Sequence, residues 1–145
     1  MKQCYKLKAA LFMVLVSQMI SAAAYAAAVD DNMLAVKVQG IRNKNGLVTV
    51  TLCTKVEVFP IGCARVKSEK AAKGTTVVRF DDIEAGKYAV AIFHDENGDG
   101  QLTFFQEGIG FSNDSNKTFD PPQFVPASFE VAGSTEIVVN IRYFN

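Results

Sequence analysis

The sequence predicts an all-β protein: a single antiparallel β-sandwich of about seven strands with Greek-key connections. Three observations support this prediction. Several short segments alternate apolar and polar residues with a period of two, the pattern of a strand with one buried face. Turn-forming Gly, Asn, Asp and Pro residues separate these segments at short intervals, as in sandwiches. Helical periodicity is almost absent after residue 26.

The first two predicted strands are separated by a strong turn signal. Residues 34–39 and 48–52 each alternate apolar and polar side chains. Between them lies Asn45-Gly46, a dipeptide that favours the tight turn of a β-hairpin. We therefore expect these two segments to pair as a hairpin. The next segment, residues 54–74, contains a proline, a glycine and a charged run, and we interpret it as a water-facing crossover loop.

Four further strands are predicted later in the chain, at residues 75–80, 87–93, 128–131 and 136–143. The segment 87–93 is apolar on both faces, which predicts a central strand that is covered on both sides. Residues 104–126 hold many Gly, Asn, Asp and Pro residues and form the longest irregular stretch. Most phenylalanines in and after this stretch are expected to pack over the core, with an exposed aromatic patch for a partner as the alternative.

The N-terminal residues have the pattern of a secretory signal peptide. Lysines at positions 2, 6 and 8 precede an apolar run at residues 9–20, and small residues flank Tyr25 as a signal peptidase requires. We predict that residues 1–26 are removed and that residues 27–145 form one β-sandwich domain. An uncleaved membrane anchor is the alternative interpretation. Cleavage predicts a periplasmic or secreted protein without a transmembrane anchor.

Charge and cysteine content narrow the function classes. The full chain has 15 basic and 15 acidic residues, and loss of residues 1–26 removes three lysines and no acids. A mildly acidic domain is a poor candidate for nucleic-acid binding, which depends on phosphate neutralisation. Cys53 and Cys63 are the two cysteines of the predicted domain, and in an oxidising compartment they are expected to form a disulfide. A metal pair or a redox pair is the alternative.

An acidic loop follows the central strand. Oxygen-bearing side chains alternate at Asp95, Asn97 and Asp99, as in the first half of an EF-hand calcium loop. The carbonyl of Gln101 could add a ligand, and an acid follows at Glu107, one residue later than the EF-hand pattern has it. These five residues are the predicted metal ligands, with calcium as the expected cofactor. A plain β-turn without a metal is the alternative.

Two residues are predicted to support this loop, and none is assigned as catalytic. Gly100 can take the left-handed conformation that a sharp turn needs. His94, which is the only histidine, lies at the strand end and is expected to be a hydrogen-bonded structural residue. A catalytic His94 acting with nearby carboxylates is the alternative.

Three segments carry a resemblance to a known family. Residues 86–102, 107–113 and 126–130, including the Phe93-His94-Asp95 and Gly110-Phe111-Ser112-Asn113 blocks, resemble a family of small secreted bacterial proteins known as DUF2141, a domain of unknown function. The resemblance covers residues 33–143, and the chain is shorter than the family's usual pattern between Leu102 and Glu107. It implies a secreted β-sandwich and no known reaction. A broader similarity, at the level of the fold, is to transthyretin (prealbumin)-like and carboxypeptidase-regulatory-like modules, and a fold does not determine a function.

Together these features predict a secreted or periplasmic accessory or binding module with a structural calcium loop. Its expected partner is an envelope protein or a glycan, not a nucleic acid. Two alternatives stay open at this point: a small hydrolase-like enzyme that uses His94, and a purely structural envelope protein.

Overall fold

The computed structural model describes residues 32–115 and 121–144. The predicted signal peptide, residues 1–26, lies outside the described residues. The described chain forms eight strands, a 3-10 turn at Ser112–Asp114 and a four-residue helix, α1, at Phe124–Ala127. The strands are β1 (Met33–Ile41), β2 (Leu47–Thr54), β3 (Arg65–Lys70), β4 (Gly74–Phe80), β5 (Gly86–Asp95), β6 (Gly108–Phe111), β7 (Phe129–Val131) and β8 (Ser134–Asn140).

The strands form two sheets, which confirms the predicted all-β sandwich. The smaller sheet has the order β4-β1-β8, and the larger one has the order β3-β2-β5-β6, with β7 also paired to β5. All pairs are antiparallel except β1 with β8, which run parallel. Apolar side chains from both sheets fill the space between them, and strands β1, β2, β4, β5 and β8 supply most of this core.

The expected hairpin between the first two strands is wrong. β1 pairs with β4 and β8, whereas β2 pairs with β3 and β5, so the turn at residues 42–46 carries the chain from one sheet to the other. Both strands bury alternate side chains. Two strands that lie in different sheets and face each other across the core bury these side chains just as two strands of one hairpin would, so the alternation alone does not distinguish the two arrangements. The turn predicted at Asn45-Gly46 is therefore present, but it connects strands of two different sheets.

The loop expected at residues 54–74 contains a strand. β3 pairs along its whole length with β2, yet all six of its residues are exposed. An exposed strand has no apolar alternation to reveal it in the sequence. Its lysines and glutamate suit a sheet edge, because charged side chains discourage pairing with another chain.

The first residues of the 54–74 segment, before β3, form a loop closed by a disulfide. Cys53 and Cys63 are bonded, with their Cα atoms 4.9 Å apart, which confirms the predicted pair. We call residues 54–62 the disulfide loop. Since Thr54 pairs with Tyr88 near the start of β5, this loop lies at the end of the sandwich where β5 begins.

The central position of β5 is confirmed. It pairs with β2 along one edge and with β6 and β7 in succession along the other. Between β6 and β7 the ladder is completed by a side chain: Ser112 Oγ accepts the N–H of Val90 at 2.9 Å and donates to the carbonyl of Ala127 at 2.6 Å. Asn113 Nδ2 donates to the carbonyl of Ser128 at 2.9 Å. These hydrogen bonds from Ser112 and Asn113 therefore fix α1 and β7 against the sheet.

β6 lies inside the stretch that the sequence predicts to be irregular, so that prediction is wrong at Gly108–Phe111. β6 closes one side of the sandwich, because Ile109 exchanges two backbone hydrogen bonds with Arg142 beyond β8. A side chain at Gly108 would overlap Ile141 and Tyr143, so the close approach requires glycine there. Among the described residues, no helix has the length and apolar character needed to span a membrane.

Candidate functional site

The acidic loop, residues 95–107, leaves β5 at the end of the sandwich opposite to the disulfide loop. Asp95 pairs with Leu47 at the start of β2, and the end of β1 reaches the same place through Arg42. The candidate site is therefore built from the ends of three strands and the loop that connects β5 to β6.

The carboxylate of Asp95 fixes the first turn of the acidic loop. Asp95 is 1% exposed, and its two oxygens accept the N–H groups of Gly98 at 2.7 Å and Gly100 at 2.9 Å. Gly100 has a φ of +76°, so the left-handed conformation predicted for it is present. A charge that is buried in this way needs such donors, because an uncompensated carboxylate is costly to desolvate.

The next two predicted ligands are exposed and bend the loop further. Asn97 Oδ1 accepts the N–H of Asp99 at 2.9 Å, and Asp99 Oδ1 accepts the N–H of Gln101 at 2.8 Å. Asn97 Nδ2 also donates to Asp99 Oδ2 at 2.9 Å. Asp95, Asn97 and Asp99 thus each accept at least one hydrogen bond from the backbone of their own loop.

The carboxylate of Glu107 ties the end of the acidic loop to its beginning. Glu107 is 3% exposed, and its oxygens accept the N–H groups of Glu96 at 3.0 Å and Thr103 at 2.9 Å. The acid that comes one residue late in the sequence pattern is therefore close to the first residues of the loop in space. The carboxylates of Asp95 and Glu107 thus fix the backbone at the two ends of the acidic loop.

His94 lies beneath the acidic loop and is fully buried. Its Nε2 lies 2.8 Å from the carbonyl of Asn45, which can only accept, so Nε2 carries the proton. Its Nδ1 lies 2.7 Å from the hydroxyl of Tyr143, and in the neutral ring with its proton on Nε2 this hydroxyl donates to Nδ1. Both ring nitrogens are occupied and the ring has no solvent access.

Sequence reasoning missed a second group at the base of the acidic loop, formed by Arg42, Asn43 and Tyr143. Arg42 Nε donates to Glu96 Oε1 at 2.6 Å, and its Nη2 donates to the carbonyl of Gln106 at 2.7 Å. The guanidinium also lies 4.4 Å from the centre of the Tyr143 ring. Arg42 and Asn43 are adjacent, but Tyr143 lies 101 residues after Arg42, so no local pattern could have grouped the three.

Two groups at this base have altered acidities. Burial of the Glu96 carboxylate opposes its ionisation, but hydrogen bonds from Arg42 and Asn43 and the Arg42 charge outweigh it, so the pKa of Glu96 is lowered. Burial raises the pKa of the Tyr143 hydroxyl. The Arg42–Glu96 pair is thus held in its charged form and the tyrosine in its neutral form.

Three phenylalanines are exposed at this end of the sandwich. Phe104, Phe105 and Phe144 are 65%, 69% and 40% exposed, and their rings meet edge to face with centres 6.0 and 6.3 Å apart. By contrast, Phe111 is buried and Phe129 packs against the core, as expected for the aromatic residues of this region. We call the three exposed rings the aromatic rim.

The described residues contain no group of three or more His, Cys, Asp and Glu side chains that could hold a metal ion. Three predicted ligands, Asp95, Asn97 and Asp99, do lie together in one bend of the chain, linked by hydrogen bonds through the loop backbone. Glu107 meets the loop at Glu96 instead, and the described contacts of Gln101 involve its N–H.

Comparison with known proteins connects this fold to one family. A family model described as an uncharacterized protein conserved in bacteria, DUF2141, matches residues 36–138. Neither the curated proteins nor the solved structures contain a match to the chain.

Proposed function

This chain belongs to the DUF2141 family of bacterial proteins, and on that premise we propose that it is a secreted or periplasmic binding module. In this proposal the acidic loop holds a calcium ion, and the ordered loop presents the aromatic rim to a partner in the cell envelope, either a protein or a glycan.

The observation that carries the proposal is the direction of the side-chain oxygens in the acidic loop. Asp95, Asn97 and Asp99 already accept hydrogen bonds from the backbone that they enclose. A carboxylate oxygen has a second lone pair available, so these bonds do not prevent coordination of a cation. A loop with its bend already fixed loses less conformational entropy when a cation binds.

The ligand chemistry fits calcium better than a transition metal. Asp95 and Asp99 offer carboxylates and Asn97 an amide oxygen within one bend, and the carboxylate of Glu107 and the carbonyl of Gln101 would have to move toward that bend to join them; every one of these donors is a hard oxygen. Calcium takes six to eight such ligands and tolerates irregular geometry. The single histidine is committed to Asn45 and Tyr143, which leaves no nitrogen donor for zinc.

The aromatic rim supports a role in binding. The three exposed rings contact one another and so form one apolar patch at one end of the domain. Contiguous exposed apolar patches on a protein surface mark sites of interaction with a partner. Location in the envelope agrees with the Cys53–Cys63 disulfide, because such bonds persist in oxidising compartments. The buried, doubly hydrogen-bonded His94 favours this module over the hydrolase alternative.

The calcium part of the proposal is tested by thermal unfolding of the oxidised protein in millimolar calcium and in chelator. A ligand that binds only the folded state at about 100 times its Kd stabilises by about 2.7 kcal/mol. We expect calcium to raise the Tm of the wild type and to raise that of Asp99→Asn much less. The asparagine keeps an oxygen for the N–H of Gln101 but loses the charge.

Asp81→Asn is the matched control, because Asp81 is exposed at the end of β4, away from the acidic loop. Its response to calcium should equal that of the wild type. Equal Tm values for the wild type in calcium and chelator would refute the calcium site.

The binding part is tested by retention on washed cell-envelope fractions. The double variant Phe104→Ser/Phe105→Ser should lose retention, while Val138→Ser, a half-exposed position on β8, should keep it. If the wild type is not retained, or if the rim variant is retained equally well, the aromatic rim is not the contact surface.

A further inference from the structure

Two asparagines of the chain are followed directly by glycine, in Asn45-Gly46 and Asn97-Gly98. In such a dipeptide the backbone nitrogen of the glycine can attack the side-chain amide carbon of the asparagine, because the glycine has no Cβ to hinder the approach. The attack expels ammonia and changes the asparagine covalently. Both asparagine side chains are exposed, so exposure alone does not distinguish the two sites.

The Asn97 site is protected by hydrogen bonds at both reacting groups. The N–H of Gly98 donates to the buried carboxylate of Asp95 at 2.7 Å. This charge-assisted bond disfavours the attack, because the nitrogen must lose its proton before it can act as a nucleophile. The side-chain amide of Asn97 is fixed as well: its oxygen accepts the N–H of Asp99 and its nitrogen donates to the carboxylate of Asp99, both at 2.9 Å.

The Asn45 site lacks this protection. In the part of the chain that the structure describes, neither the side chain of Asn45 nor the N–H of Gly46 takes part in a hydrogen bond. The contacts of Asn45 are made by its backbone, whose N–H donates to Asn43 Oδ1 at 2.9 Å and whose carbonyl accepts from His94 Nε2 at 2.8 Å. The side-chain amide is therefore open to attack, and the glycine N–H is open to base from the solvent.

We propose that Asn45 is a site of spontaneous deamidation and isomerisation in the folded protein, and that Asn97 is not. Hydroxide removes the N–H proton of Gly46, and the nitrogen forms a bond to Cγ of Asn45. The Cγ–Nδ2 bond then breaks, the departing nitrogen takes a proton from water, and ammonia leaves behind a cyclic imide. Water opens this ring at Cγ to give aspartate, or at the main-chain carbonyl carbon to give isoaspartate.

The isoaspartate product alters the support beneath the acidic loop. It routes the main chain through the side-chain carbons of residue 45, which lengthens the backbone, and it turns the carbonyl that faces His94 into a free carboxylate. The turn has no space for a longer chain, since even a methyl group at Gly46 would overlap the carbonyl of Asp95. Isomerisation should therefore loosen the contact between this turn and the acidic loop. This inference does not depend on calcium or on the aromatic rim.

The test is incubation of the oxidised protein in mildly alkaline buffer with chelator, followed by digestion and peptide mass spectrometry. Replacement of NH2 by OH changes the peptide mass, and enzymatic methylation of isoaspartate identifies the isomerised product. The rate at Asn45 should exceed that at Asn97 on the order of tenfold or more, because the Gly98 N–H must first give up a bond to a charged group. Incubation in guanidinium chloride is the matched control: with the fold lost, the two sites should react at similar rates.

Asn45→Gln tests the consequence for the fold, since glutamine would have to close a larger ring and reacts far more slowly. The wild type should lose Tm as the modification accumulates, whereas Asn45→Gln should keep its Tm over the same period. The proposal is overturned if Asn97 reacts as fast as Asn45 in the folded protein, or if Asn45 reacts only in guanidinium chloride. An equal loss of Tm in Asn45→Gln would overturn the assigned effect on the acidic loop, because the loss would then arise elsewhere.

Discussion

Replacing Tyr143 by phenylalanine removes one oxygen atom from beneath the acidic loop and leaves the aromatic ring in place. That oxygen donates its proton to His94 Nδ1 at 2.7 Å and accepts the N–H of Arg42 at 3.2 Å. The contact of the Arg42 guanidinium with the ring is retained, so the substitution isolates the hydroxyl. We expect Tyr143→Phe to destabilise the protein substantially.

The magnitude follows from the two lost hydrogen bonds. His94 is fully buried, and leaving its Nδ1 unsatisfied costs about 1–3 kcal/mol. The lost bond to the Arg42 N–H adds about 0.5–1.5 kcal/mol. The free energy of unfolding should therefore fall by about 1.5–4.5 kcal/mol, as measured by urea denaturation followed by circular dichroism.

Tyr88→Phe provides a matched control for this measurement. The Tyr88 hydroxyl donates to one backbone carbonyl, that of Glu84, at 2.8 Å, and Glu84 is exposed, so water can replace it there. Its loss should cost about 1 kcal/mol or less. If Tyr143→Phe costs no more than Tyr88→Phe, the hydrogen bonds beneath the acidic loop do not stabilise the fold as argued.

Three further predictions concern the hydrogen bonds of Glu57 and Ser112 and the close packing at Gly46. Hydrogen bonds from the Thr54 and Ala64 N–H groups lower the pKa of Glu57 below its usual 4.5, so its charged form stabilises the fold above that pH. This contribution is lost as the pH falls through the lowered pKa, and the stability difference between wild type and Glu57→Gln should shrink over that range in acid titrations of unfolding. Ser112→Ala should cost about 1–3 kcal/mol and accelerate hydrogen exchange at the Val90 N–H, which Ser112 caps; unchanged exchange would contradict this role. Gly46→Ala places a methyl group against the Asp95 carbonyl, so it should lower the Tm by more than Gly133→Ala, which has a similar positive φ but open space around it.

Strands with one buried face could be predicted from the sequence. Strands β1, β2, β4, β5 and β8 alternate buried and exposed side chains or bury both faces, and each was placed within a few residues. β3 was missed because none of its side chains is buried, and β6 because its four residues include two glycines. A strand that packs through its backbone leaves little trace in the pattern of side chains.

The candidate site was predicted in part, for a similar reason. The bend at Asp95, Asn97 and Asp99 is local, so the spacing of its residues encodes it. The support beneath it is not local: His94 meets Asn45 and Tyr143, each 49 residues away along the chain. Contacts of this range depend on how the two sheets face each other, and strand periodicity does not specify that.

The acidic loop and the disulfide loop lie at opposite ends of the β2–β5 pair. β5 has ten residues, and at about 3.3 Å per residue it separates the two loops by about 30 Å. Each loop is also braced by its own carboxylates, Asp95 and Glu107 at one end and Glu57 at the other. Substitutions at sites this far apart, with no shared partner, combine additively within about 0.3–0.5 kcal/mol. The two ends can therefore change independently, so that one end can acquire a new contact while the other keeps its stability.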